Sequence, residues 1–237
     1  MGASEGPYDG DGQRRQSHAG HDRDGGRPAS WPYARGAAGH EPSAIEELVR
    51  SALVDRDPHG PARWQAIAAL QEHGDMETFT VARRLCANGD VPERVLGVDI
   101  LGELGRSRPF IDLALPVLRY LAVSETDPRV LYSVLIAFGH LRDRRALSSV
   151  IMLSGHENPA VRYGAAYALP HVLGDPPDEA GLTALRRLTA DPDEDVADWA
   201  SLGLNLGGLA MSGSAPQTGA SAASGEFDDL GGQIFDP

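Results

Sequence analysis

The sequence contains no lysine: all 21 of its basic residues are arginine, against 34 Asp and Glu, and the formal net charge is -13. Nucleic-acid binding draws its affinity from clustered cations, so a chain this acidic excludes a phosphate backbone as partner and favours a basic or neutral protein or peptide. Cysteine is almost as scarce. The single Cys86 excludes a disulfide framework and any cysteine-rich zinc site, and it points to a reducing, cytoplasmic setting. No apolar run is long enough to cross a membrane. Arg14-Arg15 is followed by "QSHAGHDRDGG", where an export signal requires an apolar segment, so an unexported protein is expected. Arginine in place of lysine, with abundant Ala, Gly and Asp, fits the codon bias of a GC-rich bacterial genome.

Apolar periodicity is missing at both ends of the chain. Residues 1–42 are rich in Gly, Asp, Arg, His and Ser and read as a disordered arm. Residues 210–237 read as a flexible linker followed by an acidic and apolar tail. In that tail Phe227, Leu230, Ile234 and Phe235 alternate with Glu226, Asp228, Asp229 and Asp236. The pattern suits either a short docking motif or an acidic solubilising tail.

What remains, residues 43–209, is strongly patterned. Ser43 with Glu46 forms a capping box, in which each side chain satisfies a backbone N–H that the first helical turn leaves unpaired. Behind it Ile45, Leu48, Val49, Ala52 and Leu53 mark one face of a helix. The chain then repeats itself. "ARWQAIAALQEH" from Ala62, "ERVLGVDILGEL" from Glu93, "VLYSVLIAFGHL" from Val130, "VRYGAAYALPHV" from Val161 and "VADWASLGLNLG" from Val196 register without gaps, 31, 37, 31 and 35 residues apart. Asp127-Pro128, Asn158-Pro159 and Asp191-Pro192 precede three of them, a capping residue followed by a proline that the first turn tolerates. Between the repeated segments lie "METFTVARRLCA", "FIDLALPVLRYLA", "RALSSVIMLSG" and "EAGLTALRRLTA", each with its own apolar stripe. The expected architecture is all-α: an α-solenoid of about five antiparallel helix pairs.

The pattern D-P-x-V-R-x-x-A-x-x-A-L-G, clearest in "NPAVRYGAAYALP" and "DPRVLYSVLIAFG", resembles the HEAT repeat family, in particular the short repeats first known from phycobilin lyases. The resemblance implies a right-handed, armadillo-like solenoid with the repeated helix on its concave side. It specifies fold far better than function. Deoxyhypusine hydroxylase, similar in fold, carries His-Glu pairs near the starts of such helices that converge on a di-iron centre. The matching positions here hold Trp64-Gln65, Val95-Leu96, Tyr132-Ser133, Tyr163-Gly164 and Asp198-Trp199, so the resemblance does not extend to an iron site. His156-Glu157 lies ahead of its helix and reads as loop and cap.

With the first residue of each repeated segment as zero, offsets 0, 4, 8 and 11 share one buried side and offsets 2, 6 and 10 point away. The latter bring Trp64, Tyr132, Tyr163 and Asp198, then Asp99 and Tyr167, then Glu103, His140 and His171 to one surface, with Trp199 adjacent. Rings edged by carboxylates and histidines have the composition of a protein-binding hot spot. The alternative is that the rings pack between repeats. No catalytic group, metal site or cofactor is expected. The expected function is a non-catalytic interaction scaffold or adaptor, such as an assembly factor or an immunity-type protein. The competing reading is an enzyme or enzyme accessory of the phycobilin-lyase-like or deoxyhypusine-hydroxylase-like class. Leu202, Leu204, Leu206 and Leu209 leave the last repeat uncapped, so self-association there is a further expectation.

Overall fold

The computed structural model of the chain describes residues 42–206, apart from 56, 58, 59 and 108. The arm expected over 1–42, except Pro42, and the tail expected over 210–237 lie outside the described residues. Among the described residues the chain forms ten α-helices and no strand. They pair as α1 (Ala44–Val54) with α2 (Pro61–His73), α3 (Met76–Cys86) with α4 (Val91–Leu104), and α5 (Phe110–Ser124) with α6 (Pro128–Leu141). Next come α7 (Leu147–Leu153), entered through a 3-10 turn at Arg144–Ala146, with α8 (Pro159–Val172), and finally α9 (Glu179–Leu188) with α10 (Glu194–Leu206).

Each inner helix α2, α4, α6, α8 and α10 packs on the next and on its own outer partner. The result is a two-layer α-solenoid. The core runs unbroken between the layers, with Leu70, Leu101, Phe138 and Leu169 fully buried at one equivalent position of four inner helices. Close approach sets the spacing within a pair. At Gly97 a Cβ would stand 2.7 Å from the Ala82 carbonyl and from the Cys86 amide, so only glycine lets α4 lie this near α3. Cys86 is buried in that contact and burial pushes its thiol up to about 12, so it packs and does not react.

Helix starts are fixed by side chains. The Ser43–Glu46 capping box closes as its spacing requires, with the Ser43 amide donating to Glu46 at 3.1 Å and the Glu46 amide to the Ser43 hydroxyl at 3.3 Å. A second device recurs at the inner helices. Asn88, Glu125, His156 and Asp191 each accept the amide N–H of the residue two positions on, which are Asp90, Asp127, Asn158 and Asp193, at 2.9 to 3.0 Å. Asp127 and Asn158 then cap α6 and α8 through their own side chains. His156 therefore serves the turn, and the Glu157 carbonyl accepts from Arg162.

The same turns tie one repeat to the next. Arg94 reaches Glu125 at 2.7 Å and Arg162 reaches Asp191 at 2.8 Å, and each arginine also donates to carbonyls of its own preceding loop. The equivalent residue of α6 is Leu131, and the turn acceptor of the following junction is His156.

Candidate partner-binding site on the inner helix face

The residues expected to face away from the core divide by repeat. At the ends of the stack they are open: Asp198 is exposed, and Trp64 and Trp199 are half-buried. In the middle they are not. Tyr132, Tyr163 and Tyr167 are 7%, 3% and 9% exposed, so the expectation that these rings stand on an open groove is corrected. The physical reason is that an inner solenoid helix has three neighbours, the outer partner and an inner helix on each side. A helical wheel that allots one buried side leaves out the flanks, and a ring at offset 2 lies along a flank.

The rings form a ladder through the last three inner helices. Tyr132 of α6 lies 6.4 Å from Tyr163 of α8, and Tyr163 meets Trp199 of α10 edge-on at 5.5 Å. Tyr167 meets Trp199 at 6.2 Å and His140 at 6.3 Å, both near-perpendicular, and His171 at 5.3 Å with the rings 62° apart. Offset and edge-to-face geometries of this kind add to the area term of aromatic burial. Gly139 makes room for the Tyr167 ring, since a Cβ there would stand against its Cε1. Burial pushes the Tyr132 phenol up to about 12, with Tyr167 and Asp99 adding to the effect, and burial likewise raises Tyr163. These phenols stay neutral and act as packing with a polar tip.

The first half of the inner face is charged instead. Arg63, which is buried, donates to Asp99 at 2.5 Å, and Ser133 also hydrogen-bonds this carboxylate. Asp99 is 13% exposed, and its burial outweighs Arg63, leaving its carboxyl above the ordinary aspartate range. One turn on, His140 Nδ1 donates to Glu103 at 2.8 Å while Arg106 donates to the other oxygen at 3.1 Å. Burial alone would raise Glu103, but the His140 and Arg106 contacts prevail and hold it below its ordinary value. Trp64, Asp99, Glu103, Ser133, Ile136 and His140 surround a narrow cleft of about 10 Å³, room for about one water. A wider open groove of about 600 Å³ lies at the first repeat, against Glu47, Arg50, Val54 and Ala62, away from this cluster.

His140 and His171 occupy equivalent positions, but the Tyr167 ring contacts both. Among the described residues no group of three or more His, Cys, Asp or Glu is placed to hold a metal ion, and no helix is long and apolar enough to cross a membrane. The sequence reading missed Arg63 and Ser133. A signal for Arg63 was present, since Asp99 is the one carboxylate at its offset and a carboxylate that is buried needs a counter-charge.

The sequence model for HEAT repeats matches residues 115–205. No protein of curated function matches the chain. Among solved structures, the Escherichia coli protein YibA is similar at 18% identity with a TM-score of 0.54, covering 70% of this chain and 64% of its own. The chain thus spans less than two thirds of that protein. A designed armadillo repeat protein in complex with a (KR)4 peptide aligns at 16% identity and a TM-score of 0.45, over 71% of this chain and 89% of its own. An engineered protein aligns at 20% identity and a TM-score of 0.46, over 69% and 78%. HEAT and armadillo folds commonly mediate protein binding. Residues 115–205 match HEAT repeats, and the five helix pairs stacked in register make the described residues an α-solenoid of the HEAT and armadillo type.

Proposed function

We propose that the chain is a non-catalytic interaction scaffold that engages a protein or peptide on its inner helix face. The observation that carries this reading is the pairing of two half-buried indoles, Trp64 and Trp199, at opposite ends of an inner face stiffened between them by the buried Arg63–Asp99 ion pair, the His140–Glu103 contact and the aromatic ladder. Large rings held rigid by their neighbours lose little freedom on binding and supply much contact area, which is how hot spots gain their energy. Tyr132, Tyr163 and Tyr167 are the supports of this surface; Asp99, Glu103, His140 and His171 line it; Asp198 stands exposed beside Trp199. Glu72 and Asp198 are exposed acids at its two ends, which favours a basic or neutral partner. A cleft that takes about one water suits contact with a partner's surface and not the enclosure of a pigment.

The test is native mass spectrometry of the full chain, gently purified from the organism that makes it. A stoichiometric protein adduct is expected, lost in the double variant Trp64→Ala, Asp198→Arg with far-UV circular dichroism unchanged. If the adduct survives both substitutions, or the chain carries a tetrapyrrole with visible absorption and no protein, the reading fails.

A further inference from the structure

Helix α5, in the outer layer, exposes large apolar residues on its solvent side, with Asp112 and Arg119 as the charged residues of that side. Leu113, Pro116, Tyr120 and Val123 recur at i, i+3, i+7 and i+10 along its solvent side, and Tyr120 and Val123 are 71% and 73% exposed. Cations are concentrated in the same outer layer. The second halves of α3, α5 and α9 carry Arg83, Arg84, Arg119, Arg186 and Arg187 and no Asp or Glu, and α7 carries no charge at all. Among the described residues no carboxylate pairs with Arg83, Arg84, Arg119 or Arg186. Phe79 against Phe110, Asp112 against Arg145, and Ser154 against Arg187 fix the levels of neighbouring outer helices. By that alignment Tyr120 and Met152 lie at similar levels of α5 and α7, and Arg186 lies on α9, one helix beyond.

A chain of net charge -13 thus presents an apolar ridge that carries Arg119 beside it, with further arginines on other outer helices. A second copy does not fit it, because a two-fold pairing of this face would bring Arg119 and its neighbours against their own equivalents. The complementary chemistry is an extended segment that alternates aromatic or aliphatic residues with carboxylates. Residues 226–236, "EFDDLGGQIFD", have that composition, with Phe227, Leu230, Ile234 and Phe235 set among Glu226, Asp228, Asp229 and Asp236. We infer that this segment docks in cis on the α5 ridge, its rings on Tyr120 and Val123 and its carboxylates toward the arginines. The connecting residues 207–225 reach up to about 60 Å when extended. The route from the end of α10, two repeat steps and one layer at about 10 Å each plus a helix length of about 20 Å, is roughly 50 Å at most.

A nitroxide attached at Ser224→Cys in the full chain tests this, because Cys86 is buried with its thiol raised to about 12 and stays unlabelled in the folded protein. In an ¹⁵N-labelled sample the amides of residues 117–124 are expected to broaden selectively. Broadening should disappear in the variant Arg119→Glu, Tyr120→Ser, both exposed positions, and weaken as added salt screens the charges. Broadening that appears only when a spin-labelled ¹⁴N chain is mixed with an unlabelled ¹⁵N chain would place the segment on another copy and overturn docking in cis. Broadening confined to α10 or to the inner face, or absent throughout, would overturn the site itself.

Discussion

A methyl group at position 139 has no place to go. The backbone of α6 lies so close to α8 there that an added Cβ meets the Tyr167 ring, and that ring is already held by Trp199, His140 and His171. Gly139→Ala should therefore destabilise the fold by about 1–3 kcal/mol, the usual range for overpacking a filled core, although alanine is the better helix former. Chemical denaturation checks the loss, and a change in near-UV circular dichroism from the displaced aromatic ladder would accompany it. A variant as stable as the parent would show that the α6–α8 approach is looser than described. Rings such as Tyr167 were readable in the sequence as members of a repeating position. Their burial was not, because it depends on flank neighbours whose distance a single sequence does not express.

Helices were far more legible than surfaces. A capping box, a proline at N1 and an apolar stripe are all local signals, and each of the five repeated segments and each intervening stripe corresponds to a helix. The interior of α1 shows how much rests on such a signal. It packs mainly on α2 at the open first repeat, so its entry is secured by the reciprocal Ser43–Glu46 bonds and by few long-range contacts. Ser43→Ala should cost about 1 kcal/mol, and hydrogen exchange should locate the loss in α1 while α6 and α8 keep their protection. Uniform acceleration across all helices would instead mean that the first repeat unfolds only with the whole stack. The short α7 was the least legible element. Its stripe in "RALSSVIMLSG" extends over a 3-10 turn and a helix of seven residues, and hydrophobic spacing does not separate the two.

Across the whole molecule, carboxylates that join repeats set the acid limit of stability. Burial alone would raise Glu125, but the Asp127 amide and Arg94 prevail and hold it below the ordinary 4.5, and Arg162 holds Asp191 below 3.8. A lowered folded-state value means that the stabilisation is present above the unfolded-state value and is lost as pH falls through the folded one. Asp99 works in the opposite sense: its carboxyl is raised by burial, so its contribution is greatest at low pH and declines as pH rises through its folded value. Two clamps and Glu103 oppose one Asp99, so resistance to urea should fall as pH drops below about 4.5. In the double variant Glu125→Gln, Asp191→Asn that acid decline should flatten. An acid limb equally steep in the variant would assign the decline to other carboxylates.

Glu125 and Asp191 each hold two things at once, the amide that opens the next inner helix and the arginine of the repeat before it. Each such loop therefore acts as a spacer of fixed gauge, translating the position of one helix into the starting angle of the next. One residue added between Glu125 and Asp127 would carry the carboxylate out of reach of either the amide or Arg94. The winding of the stack would then change at that single joint, with the curvature on either side left as it was.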